Sequence, residues 1–268
     1  MTIAAGFCCS DGVVLCADTQ FTIPGGSKYP ESKLRVLPDI KCLPYFAFCG
    51  DMDYQKQCIT HFGAAIDGAE RAGKTVLASL EVEALALHTT YYDVYSEPDE
   101  KLNAAMFVSV LNAGKRELYK IWGPKVSKVD VMDAMGTGRD VARALADSYW
   151  VPNNTMYRTA LAATFILTDV KKYVDGCGGD SQIACLGHDG SWKYFSQDDF
   201  PKTLPIAAIE RHYQYWKRHF GYWLLNSQDF RESQDKFKNG VTALFEQFIK
   251  ERAARVLKFE ETEAKGRE

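Results

Sequence analysis

Apolar positions in the first fifty residues come in runs rather than in strict alternation. Residues 2–9 and 13–19 are two such runs, and Ser10-Asp11-Gly12 between them supplies the left-handed-tolerant residues of a tight hairpin turn. A Pro/Gly-rich stretch at 23–26 reads as a loop, 33–37 as a short strand, and 42–49 as a longer strand that stops at Gly50. The pattern then changes period. Over 51–72 and again over 76–92, apolar residues recur every three or four positions and Ala is frequent, which predicts two helices. Strands return at 106–111 and 117–122 around Asn112-Ala113-Gly114-Lys115, helices at 139–149 and 156–172, and a hairpin joins 183–186 to 191–195.

Hairpin blocks alternating with helix pairs predict an α+β chain in which antiparallel sheets are covered by helices, not a βαβ array. No repeat or linker divides the first part, so residues 1–200 are expected to form one domain. Residues 201–268 are expected to form a helical extension that packs on this domain or on a neighbouring subunit.

Composition narrows the function. The 268 residues are 46% hydrophobic, enough for a sizeable core, and 32 Lys+Arg against 35 Asp+Glu give a net charge of −3. A mildly acidic chain has no bulk electrostatic reason to bind nucleic acid or an anionic membrane. The apolar segment 3–9 lacks a basic flank and meets Asp11 early, so a cytoplasmic chain with reduced cysteines is expected. None of the eight cysteines forms a C-x-x-C pair and the five histidines show no metal-ligand spacing, so neither a metal nor another cofactor is expected.

Two stretches carry candidate chemistry. Gly68-Ala-Glu-Arg-Ala-Gly73-Lys74-Thr75 matches the phosphate-loop pattern G-x-x-x-x-G-K-[ST]. That chemistry needs a buried strand just before it, whereas a helical segment precedes it here. A helix ending at Gly73 is the expected outcome, and nucleotide binding is a distant third reading of the chain.

The other is Thr2. Removal of Met1 would leave a threonine that carries nucleophile and base together, its hydroxyl attacking while its own α-amine takes the proton. The unperturbed pKa of such an amine, ~7.7–8.0, suits that task at neutral pH.

Thr2 has company. Thr2-Ile-Ala-Ala-Gly6-Phe, Asp11-Gly-Val-Val-Leu-Cys-Ala-Asp18-Thr19, Glu31-Ser-Lys33-Leu, Phe48-Cys-Gly50 and Ala134-Met-Gly-Thr137-Gly138 resemble, in that order, the β-type subunits of proteasomes and the related bacterial two-component protease. These are N-terminal-nucleophile (Ntn) hydrolases, and the resemblance extends over about residues 2–195. It implies a four-layer αββα sandwich of two antiparallel sheets between helix pairs. It also implies a threonine peptidase that cuts unfolded protein or peptide inside a self-assembled ring, with an ATP-dependent unfoldase as a candidate partner.

By the same resemblance Thr2 is the nucleophile, Lys33 stabilises the charge on its hydroxyl, Asp18 is the counter-charge of Lys33, and the N–H of Gly50 serves the oxyanion. Thr137, where the family usually has serine, would hydrogen-bond the α-amine. The family's last element is an acid, two residues, then Ser-Gly-Gly. Here Cys177-Gly178-Gly179 lacks the serine and Asp175 sits one residue nearer. Phe21, Phe48 and Met52 fall near the family's specificity-pocket positions, though apolar residues at such places also serve as plain core. A non-catalytic ring subunit of the same fold is the alternative. In the extension, His212-Tyr-Gln-Tyr-Trp-Lys-Arg-His219-Phe-Gly-Tyr-Trp223 suggests a subunit interface more than a nucleic-acid surface.

Overall fold

The computed structural model describes residues 2–22, 27–94 and 105–195. The expected extension over 201–268, the 212–223 aromatic segment and the 23–26 loop lie outside the described residues. In chain order the strands and helices are β1 (Ile3–Cys8), β2 (Gly12–Asp18), β3 (Gln20–Thr22), β4 (Lys28–Pro30), β5 (Leu34–Val36), β6 (Tyr45–Cys49), α1 (Met52–Ala72), α2 (Val76–Val94), β7 (Ala105–Asn112), β8 (Lys115–Trp122), β9 (Lys125–Lys128), β10 (Met132–Gly136), α3 (Arg139–Tyr149), α4 (Met156–Tyr173), β11 (Ser181–Gly187) and β12 (Trp192–Phe195). The chain is thus mixed α+β with four helices among the described residues.

The strands build two five-stranded antiparallel sheets, ordered β10-β1-β2-β11-β12 and β5-β6-β7-β8-β9, with β3 and β4 as a separate ribbon. The apolar runs at the N-terminus follow from how the first sheet is covered. Ile3, Ala5 and Phe7 of β1, Val14 and Cys16 of β2, and Ile183 and Cys185 of β11 share a core with Ala142 of α3 and Ala163, Ile166 and Val170 of α4. The intervening Ala4, Val13, Leu15, Ala17, Ala184 and Leu186 belong to a second core with β6–β8 and with Phe62 and Ile66 of α1 and Leu80 of α2. With side chains alternating between two buried faces, every position is apolar and the period-2 signal vanishes. Gly6 lets the sheets approach, for a Cβ there would stand 2.8 Å from Leu118 Cδ2.

Helix α1 starts at Asp51, whose carboxylate accepts the Tyr54 N–H at 2.8 Å, and ends at Gly73 in the left-handed region with φ 61°. The N–H groups of Gly73 and Lys74 bond back to Glu70 and Ala69. The phosphate-loop match therefore lies on a closing helix, its amides engaged in helical and capping bonds rather than turned to a common anion. No helix among the described residues is long and apolar enough to cross a membrane.

Four strands had no sequence signal, β3, β4, β9 and β10. Lys28–Pro30 is exposed throughout and Lys125–Lys128 nearly so, as edge strands that a neighbour's ladder specifies rather than a buried face.

Candidate active site

The ends of β1, β2 and β5 converge on one buried polar cluster. Thr2 opens β1, Asp18 closes β2 beside it, and Lys33 directly precedes β5. Asp18 and Lys33 are wholly buried and Thr2 is 4% exposed. The Thr2 hydroxyl donates to Asp18 Oδ1 at 2.5 Å and accepts from Lys33 Nζ. The same ammonium donates to Asp18 Oδ1 at 2.5 Å and to the Gln20 carbonyl at 2.7 Å, so its three protons have three acceptors. Phe21 covers it, with the ring centroid 5.0 Å from Nζ. Burial pulls the Lys33 pKa below the ordinary lysine value, and the Asp18 carboxylate opposes that fall.

Asp18 is held from three further directions. Ile3 N–H donates to Oδ1 at 3.1 Å and Gly178 N–H to Oδ2 at 2.8 Å, in addition to the Thr2 hydroxyl. The Gly178 bond bears on the missing serine, since the loop after α4 reaches the cluster through a backbone donor that any residue at 177 leaves intact. That loop is docked on the strand end by further bonds from Thr19 N–H to Asp180 O and from Gln20 N–H to Gly178 O. A Cβ at Gly179, where φ is 67°, would lie 2.4 Å from Thr19 Oγ1. Lys33 is seated by Gln182 of β11, whose Oε1 accepts the Lys33 N–H at 2.9 Å while its amide donates to Ser32 and Tyr194.

Thr2 also faces a cavity of about 410 Å³, lined among others by Cys49, Gly50, Gly136, Thr137, Lys120 and Trp122. Gly50, with φ 110°, turns the chain from β6 into α1 and lines the same cavity as Thr2. The Gly136-Thr137-Gly138 turn holds the Thr2 backbone. Gly138 N–H donates to Thr2 O at 3.3 Å, and a Cβ on Gly136 (φ 89°) would fall 2.3 Å from that oxygen. The arrangement is a buried hydroxyl between a carboxylate and an ammonium, opening on one side to a space that a substrate can enter. No group of three His, Cys, Asp or Glu side chains among the described residues is placed to hold a metal ion.

The structure thus gathers Thr2, Asp18 and Lys33 in direct contact, with Gly50 and Thr137 on the same cavity. It does not bring Asp175 in, since that carboxylate is exposed in the turn after α4. Cys177 is buried instead, its thiol pushed up to about 12 by burial and by Asp18. The three residues expected near a specificity pocket lie as follows. Phe48 is a core side chain, 1% exposed, Met52 packs against that core, and Phe21 roofs the lysine. None of the three lines the cavity, whose walls carry Lys120, Trp122, Arg139 and Asp140. Sequence gave no sign of these four, because β8 and the start of α3 meet only through the fold.

The architecture and the cluster can be set beside known structures. The fold resembles that of Anbu. Anbu from Hyphomicrobium sp. strain MC1, solved as a Gly-1 mutant, matches with a TM-score of 0.64 and 12% identity, covering 84% of this chain and 100% of that one. Anbu is a bacterial proteasome-like protein of the Ntn-hydrolase type, and the mixed α+β fold of this chain is similar to it. No family model matches the sequence, and no curated protein does. At this identity the likeness to Anbu speaks for the fold, and the chemistry rests on the residues themselves.

Proposed function

We infer that the chain is a proteasome-like threonine peptidase in which Thr2, freed by removal of Met1, is the nucleophile. The observation that carries this reading is the buried contact of the Thr2 hydroxyl with both Lys33 Nζ and Asp18. A surface threonine needs neither partner, and an isolated buried lysine is costly unless its charge is used or paired.

In the proposed reaction Thr2 Oγ attacks the peptide carbonyl and its proton passes to the α-amine. Lys33 stabilises the oxygen as it gains negative charge, and the Gly50 N–H receives the carbonyl oxygen as it becomes an oxyanion, a contribution typically worth ~3–4 kcal/mol. The amine then protonates the leaving nitrogen, and water hydrolyses the acyl ester. Asp18 keeps Lys33 charged and aimed. Thr137 is proposed as a hydroxyl partner of the amine. Asp175 has no part in this scheme, and the loop after α4 meets the cluster through the Gly178 N–H on Asp18.

The four-layer αββα arrangement belongs to the same reading, supported by the two separate cores that cover the two faces of the first sheet. So does assembly into a ring of identical subunits acting on unfolded chains, supported by the habit of proteasome-like proteins. A non-catalytic ring subunit is favoured by one observation, the exposed Asp175. The two readings separate on a fluorogenic peptide panel assayed with wild type, Thr2→Ala and Thr2→Ser. Hydrolysis that Thr2→Ala abolishes and Thr2→Ser retains in part supports the peptidase, whereas hydrolysis that survives Thr2→Ala refutes it.

A further inference from the structure

The part of the cavity wall formed by the end of β8 and the start of α3 carries a chain of charges that does not cancel. Lys120 Nζ bonds Asp133 Oδ2 at 2.7 Å, and Arg143 bonds the other oxygen of Asp133 through Nη2 at 2.5 Å and Nε at 3.0 Å. Arg143 Nη1 also stands 3.8 Å from Asp140 Oδ1, to which Arg139 donates through Nε at 3.2 Å. Burial alone would raise the Asp133 pKa, but the bonds from Lys120 and Arg143 hold it below the usual carboxylate value, and both oxygens of the carboxylate accept bonds. Three cations thus share two carboxylates. The surplus positive charge falls on Arg139, whose side chain is 41% exposed and whose partner Asp140 is shared and 75% exposed.

Arg139 is also held in place. Its guanidinium carbon lies 5.6 Å from the centre of the Trp122 ring, and Lys120 Nζ lies 5.5 Å from the same ring. The indole is half exposed on the cavity wall, a flat apolar platform between two cations. Only Nε of Arg139 is engaged among the described residues, which leaves the terminal N–H groups of the fork for a planar anion. Arg139 is two residues beyond Thr137 and lines the same space as Thr2.

We propose that this cationic wall is the specificity element of the cavity, and that it selects peptides presenting a carboxylate to Arg139 with their apolar part against Trp122. The proposal rests on the peptidase reading for its consequence, but the recognition itself does not need turnover. The carboxylate has two possible sources, an acidic side chain near the cut or the free end of a peptide. A Glu side chain suits the wall, because its methylenes meet the indole while its carboxylate meets the fork.

The test is equilibrium binding of fluorophore-labelled peptides to the intact protein, so that a failure of hydrolysis does not decide it. One pair of peptides differs only as Glu against Gln at a scanned position, and another only as a free C-terminal carboxylate against its amide. The expected result is a preference of about tenfold for one of the two acidic forms, the worth of one charge-assisted bond at a partly exposed site. That preference should shrink in high salt, disappear in Arg139→Gln and return in part in Arg139→Lys, with circular dichroism showing all three folded. The source is the pair that shows the effect. Equal affinity within each pair, an undiminished preference in Arg139→Gln, or no binding of any peptide up to millimolar concentration overturns the proposal. Adduct formation at Thr2 is scored separately, so loss of the peptidase reading and loss of this one are told apart.

Discussion

Replacing Lys33 by Met probes the centre of the account with little change of shape. The wild-type ammonium is fully buried and spends its three protons on Thr2 Oγ1, Asp18 Oδ1 and Gln20 O. Methionine fills most of the same space and still packs under Phe21, but it leaves the Asp18 carboxylate buried without a counter-charge. Removing one partner of a buried pair generally costs ~3–5 kcal/mol. Asp18 keeps the Thr2 hydroxyl and the Ile3 and Gly178 N–H donors, so the lower end, about 3 kcal/mol, is expected. The double variant Asp18→Asn with Lys33→Met removes the orphaned charge as well. It should therefore be more stable than the sum of the single losses predicts, with a coupling of about 2 kcal/mol. Urea unfolding at pH 7 reads all four proteins, provided the slope stays constant and only the midpoint moves. A loss under about 1 kcal/mol for Lys33→Met, or strict additivity with Asp18→Asn, would refute the buried, coupled pair.

Other expectations follow from the same geometry. Gly136→Ala should cost about 3–4 kcal/mol, because φ is 89° and the new Cβ meets a backbone oxygen at 2.3 Å; Gly114→Ala, at φ 76° with nothing within 4 Å, should cost only ~1–2 kcal/mol. Thermal melting of the two variants tests this, and equal shifts would contradict the close seat of Thr2 against the Gly136 turn. Burial raises the thiols of Cys8, Cys42, Cys49 and Cys58 to about 11 and those of Cys9, Cys16, Cys177 and Cys185 to about 12. Above pH ~9 the unfolded chain gives up thiol protons that the folded chain keeps, so this contribution, complete at lower pH, is lost as pH rises, by up to ~1.4 kcal/mol per pH unit for each thiol. Urea midpoints should thus fall steadily between pH 8 and 10, and a flat profile would show the thiols to be exposed.

The sequence was most readable where two independent demands agreed. The helices at 52–72 and 139–149 show a 3.6-residue pattern and carry their own boundaries in Asp51, Gly73 and Gly138, and the structure places them within a residue of expectation. The order Thr2, Asp18, Lys33 and Gly50 was legible through the resemblance, whose matching stretches lie at strand ends beside turns or loops. It took the sheets to bring the first three into contact. Phe48 and Met52 illustrate the limit, since an apolar residue lining a pocket and one filling a core obey the same pattern. The wall of Lys120, Trp122 and Arg139 was invisible for another reason. Its members lie at the end of β8 and the start of α3, and only the pairing of β10 with β1 sets that helix beside the cavity. Asp175 was suggested by the resemblance although it stands one residue nearer than the family's pattern, and it is exposed in the turn after α4 while Gly178 makes the bond to Asp18.

The central claim, that Thr2 is a free N-terminal nucleophile, is tested most directly by the intact mass of the purified protein before and after exposure to a peptide epoxyketone. That reagent needs a hydroxyl and a free α-amine on one residue. The account predicts a species lacking Met1 that gains one inhibitor mass in wild type and none in Thr2→Ala. Met1 retained, or a free Thr2 that stays unmodified, would contradict it.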